Sequence, residues 1–190
     1  MWREAAASAF SVASAIPDMD STGHVSDVFE NVEVGESNGL LALGPALISS
    51  ARNATGESLL MVCARCGHSD IARLILADSE LDDTDNEGWS ALLNGAHKGH
   101  IEIVQLLLEA GSAVDQTDLM GWTALMWAVY KNQLPVVEIL LDYTAHVNMI
   151  DEEDGLTPLI VSSGRGFTDI VRRLLAADAQ ARISIHSALK

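Results

Sequence analysis

The sequence predicts an all-α solenoid of helix-turn-helix units joined by hairpin-like fingers. Three observations predict it. A five-residue signature recurs, as GESLL from Gly56, GWSAL from Gly88, GWTAL from Gly121 and GLTPL from Gly155, at spacings of 32, 33 and 34 residues. Behind each lies a second apolar run: HSDIARLIL from His68, HIEIVQLLLEAG from His100, LPVVEILLDY from Leu134 and FTDIVRRLLAAD from Phe167. Between the units stand acidic, polar stretches such as SELDDTDNE and MIDEEDG. Self-similarity at this period means stacked units, each burying its apolar face on a neighbour.

Taken in order, residues 1–39 show no period and read as a mostly disordered acidic segment. Residues 40–52 read as the tail of a degraded unit. Four units follow, at 53–85, 86–118, 119–151 and 152–183, and then a tail at 184–190. In each unit Ser58, Ser90, Thr123 or Thr157 stands where a hydroxyl caps the first helix. Pro158 takes the first helical position, where its missing N–H is harmless. Leu60, Leu92, Leu125 and Leu159 anchor that helix inward. Small residues follow (Cys63-Ala64, Gly95-Ala96, Ala128, Ser162-Ser163) and let helices approach closely. Gly67, Gly99 and Gly166 end the helix with the backbone freedom a tight turn needs. Asn132 stands in that place in the third unit. The second helices carry Ile103, Val104, Leu107 and Leu108, and Val136, Val137, Leu140 and Leu141, at helical spacing. The last unit runs into ARISIHSALK without a polar finger, so the reading leaves Ile170, Val171, Leu174 and Leu175 uncovered.

Composition narrows the function. The chain has 190 residues, 48% of them apolar, and a formal charge of −16. Such a chain repels phosphate backbones, so no direct nucleic-acid contact is expected. No apolar run reaches the length of a membrane span. The amino-terminal stretch to Pro17 contains Glu4 and scattered serines, a poor apolar segment for a secretory leader. Two cysteines cannot build a disulfide framework, and a cytoplasmic setting is expected. Asn53-Ala54-Thr55 forms a glycosylation sequon, relevant only to a secreted chain.

The chemistry-bearing residues favour structural roles. Cys63 and Cys66 are spaced like a redox or zinc pair. Zinc normally takes four ligands, and no second pair exists. A redox pair would belong to a βαβ unit, and no strand pattern surrounds this one. His68 and His100 occupy the helix-helix turn. Asp151-Glu152-Glu153-Asp154 lacks the alternating spacing of a calcium loop and reads as a solvated finger. No phosphate loop and no serine–histidine–acid arrangement stand out. No catalytic residue, no metal and no cofactor are assigned. A thiol- or metal-dependent enzyme using Cys63 and Cys66 is the alternative of another class.

The 33-residue period, the GWTAL-type openings, the hydroxyl caps and the turn glycines identify residues 53–180 as similar to the ankyrin-repeat family. The usual histidine after the anchoring leucine is replaced by Met61, Leu93, Met126 and Ile160. GWTALMWAVYK, the preceding GWSALL and HKGHIEIVQLLLEAG, and the following GRGFTDIV resemble the amino-terminal repeats of the kinase D-interacting, ankyrin repeat-rich membrane-spanning scaffolds. That resemblance implies a fragment or short form of a non-catalytic cytosolic scaffold arm, lacking the membrane helices of its relatives. It implies binding of receptor tails or signalling proteins. A capping or inhibitory subunit of a transcription complex is a further alternative for such an array.

Repeat register places Trp89 and Trp122 directly after the finger glycines, on the concave side. His97-Lys98, Tyr130-Lys131, Arg65 and Arg165 fall at the end of the first helices, facing the same groove. Trp127 reads equally as an inter-unit spacer or a groove contact. The four cations Arg65, Lys98, Lys131 and Arg165 are expected to form a basic stripe that selects an acidic or aromatic-bearing peptide.

Overall fold

A computed structural model describes residues 23–40 and 43–177. The described residues contain ten α-helices and one 3-10 turn. The helices are α1 (Gly23–Glu33), α2 (Pro45–Ser50), α3 (Leu59–Cys66), α4 (Ser69–Ile75), α5 (Ala91–Lys98), α6 (Ile101–Glu109), α7 (Ala124–Tyr130), α8 (Leu134–Asp142), α9 (Pro158–Arg165) and α10 (Thr168–Ala176). The first helices α1, α3, α5, α7 and α9 stack in sequence, and the second helices α4, α6, α8 and α10 stack behind them. The fold is an all-α ankyrin-type solenoid.

Local chemistry sets each helix boundary. Ser58 Oγ, Ser90 Oγ, Thr123 Oγ1 and Thr157 Oγ1 accept from the amides of Met61, Leu93, Met126 and Ile160. Each bond satisfies an amide that the first turn leaves free. The α3 turn ends on Gly67 at φ 88°, and Asn132 takes the same left-handed backbone at φ 58°. Asparagine tolerates that region better than most side chains.

Met61, Leu93 and Met126 are buried at the position where histidine was expected. They add apolar contact between units, and Met61 Sδ also accepts from the Ser58 amide. Histidines act at the helix-helix turn. His68 Nε2 bonds Glu33 O at 3.0 Å, and His100 Nε2 bonds Arg65 O at 3.3 Å. Each ring thus ties its unit to the first-helix end of the unit before.

The amino-terminal reading needs correction. Residues 1–22 lie outside the described residues, but 23–33 form helix α1. Val28, Phe29 and Val32 are buried, and α1 packs on α3. Its apolar positions recur at helical spacing and cover the face that α3 would otherwise expose. The carboxyl-terminal expectation is corrected in part. Ile170 and Leu174 are buried and Val171 half-buried, because α10 packs on α8 and α9; Leu175 is 54% exposed.

Candidate functional site

Each finger begins with an Asn or Asp whose side chain folds the turn. Asn53 Oδ1 accepts the amides of Thr55 and Glu57. Asp85 Oδ1 accepts those of Glu87 and Trp89, and Asp118 Oδ1 those of Met120 and Trp122. Asp151 Oδ1 accepts those of Asp154 and Leu156. Short side-chain acceptors of this kind compete well for turn amides. The carboxylate of Asp151 is therefore engaged by the chain itself. Adjacent fingers are stitched by backbone bonds, Asn86 N to Thr55 O, Leu119 N to Glu87 O and Glu152 N to Met120 O.

These turns and the first helices set three positions per unit in one register. Counted from the capping hydroxyl, they are the residue before it, the fourth after it and the seventh after it. The four rows are Glu57, Val62, Arg65; Trp89, Asn94, His97; Trp122, Trp127, Tyr130; and Leu156, Val161, Gly164.

The second and third rows form one aromatic ladder. Trp127 lies 4.9 Å from Trp89 and 4.7 Å from Trp122, centroid to centroid. His97 stands edge-on to both Trp89 and Trp127, and Tyr130 edge-on to both Trp122 and Trp127. Tilted and edge-on contacts at such distances are favourable for rings carrying a negative face and a positive edge. Two indole N–H groups are anchored on finger carboxylates, Trp127 Nε1 to Asp118 Oδ2 at 2.9 Å and Trp122 Nε1 to Asp151 Oδ2 at 3.3 Å. The ladder ends at Arg165, whose guanidinium lies 4.2 Å from the Tyr130 centroid, with Lys131 Nζ at 5.7 Å.

Trp89 and Trp122 lie on the face that register assigned them, and both also pack on Trp127, so they are part of the inter-unit contact as well as of the surface. Trp127 is both spacer and surface: it is half-buried and touches four rings. The basic stripe is also corrected. Arg65 Nε and one terminal nitrogen bond Glu57 and Glu33, each at 2.8 Å. Burial pushes the Glu57 carboxyl up, but the hydrogen bonds and charge of Arg65, with bonds from Asn53 and Thr55, outweigh it and hold it below the ordinary value. Arg65 is thus paired with Glu57 of its own row and Glu33 of α1. Lys98, Lys131 and Arg165 are exposed.

His97 carries no charge near neutrality. Burial among the indoles, then the charges of Lys131 and Lys98, push its pKa down to about 4. Cys63 is fully buried, and burial, then neighbouring Cys66, pushes its thiol up to about 12. Cys66 is also raised, chiefly by burial. A reactive thiol needs the opposite shift, toward the thiolate.

Residues 37–118 and 60–151 match the family model described as ankyrin repeats (3 copies). The chain belongs to the ankyrin-repeat family. Members of this family are generally protein–protein interaction modules and typically non-catalytic. No curated protein matches the chain. Among the described residues, no helix is long and apolar enough to cross a membrane.

Proposed function

We propose that the chain is a non-catalytic protein-binding module that holds a partner segment along the Trp89–Arg165 ladder. The observation that carries this reading is the concentration of rings in the second and third rows. Trp89, Trp122, Trp127, Tyr130 and His97 are all only partly buried and line one continuous face. Aromatic side chains and arginine are enriched where binding energy concentrates. Lys131 and Arg165 beside Tyr130 suit an acidic or aromatic-bearing segment at that end. A role as a scaffold arm for receptor tails or signalling proteins in the cytoplasm is the finer form of this proposal, supported by the resemblance of the GWTALMWAVYK unit.

The test is affinity capture with the chain, followed by titration of the captured partner with wild-type protein and with Tyr130→Ala. Tyr130 forms one edge of the ladder, so its loss leaves the Trp127 bonds in place. At least tenfold weaker binding by the variant is expected. Undiminished binding, with the variant's stability unchanged, would overturn the reading.

A further inference from the structure

A groove of about 690 Å³ opens between the first and second rows. Its walls include Glu33, Glu57, Asp85, Glu87, Trp89 and Asn94. Two cations, Arg65 and Lys98, also line it. Arg65 is spent on Glu33 and Glu57, while Glu87 is exposed and its carboxylate has no partner among the described residues. Asp85 uses Oδ1 for the finger turn and leaves Oδ2 without a bond among the described residues. Trp127 packs on Trp89 from the third row, and the Trp89 ring also forms a wall of the groove. Asn94 is 6% exposed, and among the described residues its amide makes one bond, Nδ2 to Ser90 O, with Oδ1 left over. His97, uncharged for the reasons given above, adds no positive charge, which leaves Lys98 as the one unpaired cation beside the two carboxylates Asp85 and Glu87 among the described lining residues.

An indole face, unpaired carboxylate oxygens and an amide oxygen together match a planar cation that stacks and donates in a fork. Guanidinium does both, and ammonium does neither as well. We infer that this groove receives an arginine side chain from the partner segment. The inference rests on the proposed binding role. It places the segment's arginine over Trp89 and its acidic or aromatic part over Tyr130, Lys131 and Arg165.

The test uses the full chain labelled with 15N, with indole Nε1–H resonances assigned by Trp→Phe variants. The probes are N-acetyl-argininamide, N-acetyl-lysinamide and neutral N-acetyl-glutaminamide at matched ionic strength. A saturable shift of the Trp89 resonance with the arginine probe is expected, with at least threefold weaker saturation by lysine and none by glutamine. Glu87→Gln should weaken the arginine response at least threefold. No saturable shift at Trp89, an equal response to the neutral probe, or equal shifts at Trp89 and Trp122 would overturn the inference. The two proposals fail separately. A silent Trp89 with capture still sensitive to Tyr130→Ala removes the arginine groove and keeps the binding ladder. An arginine-responsive Trp89 with capture indifferent to Tyr130→Ala keeps the groove and removes the ladder.

Discussion

Trp127 donates its indole N–H to Asp118 Oδ2 at 2.9 Å, while Asp118 Oδ1 holds the two amides of its own finger turn. One buried carboxylate therefore positions both a finger and the central ring of the ladder.

Asp118→Ala should lower the unfolding free energy by about 3 kcal/mol, since it strands turn amides and an indole N–H. Asp118→Asn keeps an acceptor for the turn and should cost about 1 kcal/mol. Denaturant unfolding of both variants measures the difference. Equal losses would mean that the turn acceptor contributes little beside the Oδ2 bond to Trp127 and the charge, both of which Asp118→Asn removes.

Trp122→Ala should affect both stability and binding. The ring packs on Trp127 and bonds Asp151, so a loss of about 1–2 kcal/mol in unfolding free energy is expected. Partner affinity should fall at least tenfold in protein that is still folded. A variant with wild-type unfolding would show that the ring stands free of its neighbours.

Acid should weaken the fold in two steps. His97 has its folded pKa depressed to about 4 from 6.5. The unfolded chain then binds the extra proton first, so this contribution is full above about pH 6.5 and is lost as pH falls toward 4. Glu57 is also depressed, so its contribution is present above the ordinary carboxylate value and is lost below it. Unfolding midpoints measured from pH 7 to 4 should fall, and His97→Leu should flatten the decline between pH 6.5 and 4.5. An identical decline in that variant would remove His97 as the cause.

Helix α1 should behave as a packed unit. Phe29→Ala should cost about 3 kcal/mol by opening a cavity against α3. Hydrogen exchange should find amides of Val28–Val32 protected. Immediate exchange there would restore the reading of an unstructured segment.

Whatever depends on local chemistry was legible in the sequence. The period, the four capping hydroxyls and the left-handed turn positions all follow from a few neighbouring residues, and all appear as read. Helix α1 was missed because its unit lacks the finger signature and joins α2 through residues 34–44 rather than a two-residue turn. One clue was present. Gly35 precedes Gly67 by the same 32 residues that separate Gly67 from Gly99, and it too has positive φ. The Glu33 half of the Arg65 pairing was illegible for the same reason, since Glu33 lies on that unrecognised helix, whereas Glu57 stands in Arg65's own row. The ladder was half legible: register placed its rings on one face, but only three-dimensional packing brings Trp89 onto Trp127 of the next unit.

The joint between units has a further consequence. His68 sits against Gly35 and bonds Glu33 O, and His100 repeats both relations with Gly67 and Arg65 O. The connection is interchangeable, like a standard coupling between carriages. Removing residues 68–99 would bring His100 into the place of His68, opposite Gly35, with the same ring and the same glycine meeting. These two couplings can therefore stand in for each other, whereas the third unit departs from them, with Gln133 against Gly99 and Asn132 at the turn.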